Sequence, residues 1–183
     1  MRAANLVQDF KRTSADQTSL EIEEIALDEY IPRVCNPLKP MLRKEQIELS
    51  IDVMPKLAIT TCPGIIAQLL TNLISNAQRH AFGPSVDNDI NKVAVSCSQN
   101  DKGVVISVQD NGKGIPAELH KKVFEPFYTT GRQHGGSGLG LSIVYNLATQ
   151  KLGGKINCYC EPGEGLTVLV EFPVMIVSKA TEV

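Results

Sequence analysis

Val104-Val105-Ile106-Ser107-Val108-Gln109 runs straight into Asp110-Asn111-Gly112-Lys113-Gly114. The first six residues are rich in β-branched side chains and follow a turn-forming stretch, Asn100 to Gly103. They read as a strand. The next five place a carboxylate at the strand's end and then two glycines, which permit a tight turn and close backbone approach to a ligand. Such a carboxylate can accept a hydrogen bond from an exocyclic amine. A surface turn opening Asp-Asn-Gly is the plainer explanation, so this stretch alone settles a strand followed by a sharp turn.

Working outward, Lys92 to Gln99 is a second strand, paired with the first around the Asn100–Gly103 turn. From Asp110 to Gly136 little is regular beyond a short helix near Glu118 to Val123. That is long for a connection and suggests a functional lid. Leu139 to Lys151 is helical and ends at Gly153-Gly154. Lys155 to Cys160 and Leu166 to Phe172 form a closing hairpin around Pro162-Gly163. Upstream, Phe82 to Asn91 is loop. It follows a strong helix from Pro63 to about Ala81, with Ile66, Leu69, Leu70, Leu73, Ile74 and Ala77 on one stripe. Leu57 to Thr61, Ile47 to Val53 and Glu21 to Leu27 are strands. Asp28 caps a helix running to about Lys44, which Pro37 and Pro40 should kink or shorten. The sum is an α+β, two-layer α/β sandwich: a mixed, mostly antiparallel sheet with helices on one face.

The first twenty residues carry Ala3, Leu6, Val7 and Phe10 at helical spacing. They read as the end of a helical hairpin; an N-terminal helix packed on its own domain is the other reading. Residues 21–183 make the main domain.

The chain has 183 residues, 43% hydrophobic and 21% charged, enough for one domain with a sizeable core. Its net charge of -2 and pI of about 5.9 argue against nucleic acid or an anionic membrane as the main partner. No signal peptide opens it and no apolar run approaches a membrane span, so we expect a soluble chain with no membrane contact of its own. It would be cytoplasmic, although a longer parent protein could be membrane-bound. The five cysteines, Cys35, Cys62, Cys97, Cys158 and Cys160, suit reduced thiols better than a metal or disulfide framework.

Three further segments bear on chemistry. Asn72 and Asn76 lie four apart on one helix face, and an amide oxygen is a suitable hard ligand for Mg²⁺. Phe124-Glu125-Pro126-Phe127-Tyr128-Thr129-Thr130 could anchor a lid by its aromatic rings. Gly135-Gly136-Ser137-Gly138-Leu139-Gly140-Leu141-Ser142 opens a helix, where free N–H groups and bare glycine backbone can receive phosphate. It is neither a Walker loop nor a clean dinucleotide fingerprint. Taken singly, each segment has an ordinary structural explanation.

Their order and intervals together resemble the catalytic and ATP-binding domain of sensor histidine kinases, within the GHKL superfamily. The resemblance spans roughly residues 20 to 175. Asn72 and Asn76 match the N box, Asp110 to Gly114 the G1 box, Phe124 to Phe127 the F box and Gly136 to Gly140 the G2 box. It implies a Bergerat-type ATP-binding fold with ATP and Mg²⁺ as cofactors. By resemblance Asn76 holds Mg²⁺, with Asn72 near the metal and phosphates. Asp110 reads the adenine amino group in a pocket shaped by Gly112, Gly114 and Ile115. Gly138, Leu139 and Gly140 give backbone amides to phosphate, beside Gly136 and Ser137. Arg79 reaches phosphates, His80 packs by the nucleoside, Lys113 and Arg132 are lid contacts, and Phe127 and Thr130 count among the ATP-binding residues. Many members place lysine directly after the Thr-Thr pair; here Gly131 and Arg132 follow.

Hydrolysing relatives carry Glu where Asn72 stands. A carboxylate can take a proton from water, and an amide cannot. Asn72 therefore points to transfer onto histidine rather than to an ATPase; a non-catalytic nucleotide-binding module is the alternative. None of His80, His120 and His134 has the Ser-His-Glu-Leu-Arg type of setting the family uses for its acceptor. The acceptor is expected on a separate or missing hairpin domain, with a response regulator downstream. A monomer or weak dimer is expected for this chain.

Overall fold

Alternation along each strand decides which face of the sheet is buried. Val104, Ile106 and Val108 on β5 (Gly103–Asp110) face inward, as do Val93, Val95 and Cys97 on β4 (Asn91–Asn100). Val168, Val170 and Phe172 do the same on β7 (Thr167–Phe172). Between them Lys92, Ser96, Ser98 and Gln109 are exposed. One face is thus apolar and the other polar, as expected of a sheet covered on one side.

These elements come from a computed structural model that describes residues 22–83, 90–128, 138–160 and 164–174. The N-terminal residues 1–20, read as the end of a hairpin, lie outside the described residues, as do 84–89, 129–137, 161–163 and the C-terminal end. The main sheet has five strands in the order β2-β4-β5-β7-β6, with β2 (Ile47–Val53) parallel to β4 and every other pair antiparallel. β6 is Lys155–Tyr159. This is the mixed, mostly antiparallel sheet the sequence implied. The first and third strands, β1 (Glu23–Ala26) and β3 (Ala58–Thr61), do not join it; they pair antiparallel as a separate ribbon.

The helical layer rests on α3 (Pro63–His80), whose Ile66, Leu69, Leu70, Leu73, Ile74 and Ala77 are buried in the common core. Pro63 occupies the first turn, where a missing N–H costs nothing. The expected helix from Asp28 to Lys44 is broken into α1 (Leu27–Cys35), a 3₁₀ turn at Asn36–Leu38 and α2 (Lys39–Lys44). Pro37 and Pro40 lie at the starts of the later pieces, as their missing donors require. Asp28 is not the cap. It sits in the first turn of α1, and its Oδ2 accepts the Lys56 N–H at 2.8 Å, tying α1 to the turn before β3. Ile31 and Leu42 are buried, and Tyr30 donates its hydroxyl to Pro63 O at 2.9 Å.

The lid-side segment forms two 3₁₀ turns, Ala117–Leu119 and Lys122–Phe124, rather than one helix. α4 (Gly140–Asn146) continues as a π turn over Leu147–Lys151 before Gly153 and Gly154. Among the described residues no helix is long and apolar enough to cross a membrane.

Candidate nucleotide-binding site

The inward alternation of β5 ends on Asp110. The carboxylate shares a face with Val104, Ile106 and Val108 and is delivered to the seam between sheet and helices, where the residue is only 6% exposed. Its Oδ1 accepts two backbone donors, Gly112 N–H at 3.0 Å and Leu166 N–H at 3.2 Å. Burial pushes its pKa above the usual 3.8, and those two hydrogen bonds pull it partly back. The cause named first wins, so an ionised Asp110 is held here at a cost to the empty fold.

That imbalance sets a pH dependence. A carboxyl with a raised folded pKa keeps its proton where the unfolded chain has lost it, so stability falls as pH climbs from about 3.8 through the raised value. Asp110→Asn removes the charge and keeps an oxygen acceptor. The variant without ligand is expected to unfold at higher urea than the wild type at pH 7, with the gap closing as pH falls into the carboxylate range.

Close backbone contacts then draw the four segments together. A Cβ on Gly112 would collide with the Ala81 carbonyl at the end of α3, and Lys113 N–H donates to that same oxygen at 2.9 Å. The turn after β5 therefore sits on the C-terminal end of the helix bearing both asparagines. At the other side of the site a Cβ on Gly140 would lie 3.3 Å from Asn76 Oδ1, so the start of α4 stands over that amide. Gly138, at φ +70°, lies against the backbone of Phe127; its Cβ would be 2.6 Å from the Phe127 carbonyl carbon. Gly165, at φ +80°, abuts the Asp110 backbone. Gly165→Ala combines a left-handed backbone with a collision and should cost about 2–5 kcal/mol in urea unfolding, with nucleotide affinity falling in parallel.

The result is a cavity of about 540 Å³, within the usual span for small-molecule sites. Asn72, Asn76, Arg79, His80, Asp110, Gly114, Ile115, Gly138, Leu139 and Gly140 all line it. Asn72 Nδ2 is buried without a hydrogen-bond partner, a donor that an entering acceptor would satisfy. Gly112 is buried beneath the cavity and shapes it through Ala81 rather than by lining it. Two expected contacts differ. Lys113 is exposed and outside the lining. Phe127 is 58% exposed at φ +65°, a left-handed turn that carries its side chain to solvent, and Val123 and Tyr128 line the wall instead. Thr130, Arg132, Gly136 and Ser137 lie outside the described residues. The sequence reading missed Val108, Leu166 and Val168, which form part of the wall from β5 and β7. Alternation along β5 and β7 is the signal that could have found Val108 and Val168; nothing local marks the Leu166 amide.

A two-layer sandwich with this cavity at the sheet–helix seam defines a domain built around one small-molecule site. The family described as "Histidine kinase-, DNA gyrase B-, and HSP90-like ATPase" matches residues 63–176, and the chain belongs to it. Among curated relatives, the alginate biosynthesis sensor protein KinB of Pseudomonas aeruginosa is 29% identical over 180 residues. That alignment covers 94% of this chain and 29% of KinB, so the chain spans less than a third of that protein. Among solved structures, the catalytic domain of histidine kinase ThkA superposes with a TM-score of 0.71 at 30% identity, covering 84% of this chain and 96% of that one. ThkA in complex with response regulator protein TrrA gives 0.72 at 27% identity, covering 95% of this chain and 48% of ThkA. The relatives and structural neighbours are sensor histidine kinases and their catalytic domains.

Proposed function

We propose that this chain is the ATP-binding catalytic domain of a two-component sensor histidine kinase. It passes the γ-phosphoryl group of ATP to a histidine on a helical hairpin domain, supplied by the rest of its protein or by another chain. The observation that carries the reading is the cavity's pairing of chemistries. A buried acceptor, Asp110, lines the same cavity as two amides, one of them beneath a glycine-opened helix start. That suits an adenine amino group and a polyphosphate.

The residues also fit Mg²⁺. The described residues contain no group of three or more His, Cys, Asp or Glu able to form a dedicated cage. Mg²⁺ keeps several waters and takes few protein ligands beside substrate phosphates, so Asn76 Oδ1 as a single direct ligand is sufficient. Held by Asn76, Mg²⁺ would supply positive charge against the negative charge of the phosphates. Asn72 presents its orphaned Nδ2 donor to a phosphate oxygen and, being an amide, does not deprotonate water. The N–H groups around Gly138, Leu139 and Gly140 hold the polyphosphate, and Arg79 adds charge from the last turn of α3. The acceptor imidazole is already a nucleophile when neutral, so the domain contributes position and charge stabilisation.

We place the hairpin's end in residues 1–20, further phosphate contacts on Gly136 and Ser137 beside Gly138, and ATP contacts from the lid on Thr130 and Arg132. A response regulator receiver domain is the downstream partner; the ThkA–TrrA complex supports that order. The test is transfer of labelled phosphate from ATP to a hairpin domain added to the chain. Nucleotide binding without transfer to any cognate hairpin would turn the reading into a regulatory nucleotide module.

A further inference from the structure

The closing hairpin holds the turn after β5 from behind, and one of its grips is a thiol. Ile115 N–H donates to Cys160 Sγ at 3.1 Å. A Cβ on Gly114 would collide with that same sulfur, so the thiol fills the space a side chain at 114 would need. Gly114 stands at φ +65°. Gly114 and Ile115 line the nucleotide cavity and Cys160 does not. Two residues earlier, at the end of β6, Cys158 Sγ donates to the His120 carbonyl at 3.2 Å. Burial, and then the neighbouring Cys160, push the Cys158 thiol up to about 11, so it remains an S–H donor at neutral pH. Both thiols therefore fasten the segment between residues 114 and 120 to the edge of the sheet.

We propose that Cys160 is a positioning residue for the bound nucleotide: its sulfur sets where the Gly114–Ile115 wall stands relative to the base. The inference rests on reading the cavity as an ATP site. On the opposite side of the turn, Asp110 is fixed by Gly112 N–H and Leu166 N–H. The wall is fixed by the sulfur. A base held by Asp110 is gripped only if the two stay in register. Distances of a few tenths of an ångström matter there, because dispersion contact falls steeply with a gap.

The test titrates wild type, Cys160→Ala, Cys160→Ser and Cys158→Ala with non-hydrolysable ATP and GTP analogues, and records each unfolding midpoint. Cys160→Ala is expected to weaken the ATP analogue about three- to tenfold, the range of one lost hydrogen bond. It should also narrow the preference for adenine over guanine. Cys160→Ser keeps an acceptor and should recover most of both, and Cys158→Ala should bind like the wild type. Cys160→Ala with wild-type affinity and selectivity overturns the proposal. So does equal weakening in the Ala and Ser variants that simply tracks lost stability, since the sulfur would then be packing alone. A wild type that does not bind the ATP analogue defeats the nucleotide reading, and this inference with it. A wild type that binds beside an indifferent Cys160→Ala defeats the inference alone.

Discussion

Asp110→Ala is expected to weaken binding of an ATP analogue by about ten- to a hundred-fold. The residue is 6% exposed, and Gly112 and Leu166 both donate to one of its oxygens, Oδ1. Acceptor capacity remains for an incoming amine. A hydrogen bond to a charged group contributes roughly 1.5–3 kcal/mol, which gives that range of affinity. Alanine also leaves one buried and one partly buried N–H donor short of their acceptor, and the walls of the base pocket lose their common anchor. Loss of affinity is readily separated from loss of fold. The charge destabilises the empty protein, so Asp110→Asn should bind weakly while unfolding later than the wild type. Calorimetric titration beside urea unfolding reads both. An Asp110→Ala variant that binds as the wild type does would show that the base does not reach this carboxylate.

The second large effect is on phosphoryl transfer. With a cognate hairpin domain added, wild type should label the hairpin histidine in the presence of Mg²⁺, and the chain alone should label itself poorly. His80 belongs to the cavity wall, and His120 has its Nε2 buried without a partner, so neither is presented as an acceptor. Asn76→Ala should cut transfer by about 10²- to 10³-fold, the usual cost of removing one preorganised group that stabilises developing charge. The Asn76 amide lies under Gly140 at the start of α4, where phosphate and metal would meet. Its loss should reduce the Mg²⁺-dependent part of nucleotide affinity and leave the Mg²⁺-free part nearly intact. Equal loss with and without Mg²⁺ would remove Asn76 from metal binding.

Much of this architecture was legible locally. Ile47–Val53 alternates, and it is a strand over those same residues. The apolar stripe on α3 predicted its buried face residue for residue from Ile66 to Ala77. The prolines at 37 and 40 announced breaks, and the structure breaks there. Asp28 was misread because Asp before an apolar helix is a common cap. Its actual partner, Lys56, lies 28 residues away and no neighbour advertises it. The separate β1–β3 ribbon was missed for the same reason, since strand pairing depends on distant partners. Phe127 looked like an anchor by its ring, but its backbone conformation turned it outward.

By itself the sequence determined where the strands and the long helix α3 lie, the buried stripe of that helix and the identity of the polar groups at the site. Periodicity and glycine placement are properties of adjacent residues, and they act before the chain has folded. Only the tertiary structure decided that β7 lies between β5 and β6. That placement brings Leu166 N–H across 56 residues to Asp110 and sets Gly165 and Cys160 against the turn after β5. Strand order and backbone packing are contacts between remote parts of the chain, made by the free energy of the whole core. The depth of Asp110's burial, and therefore its charge state and its strength as an acceptor, follows from that core.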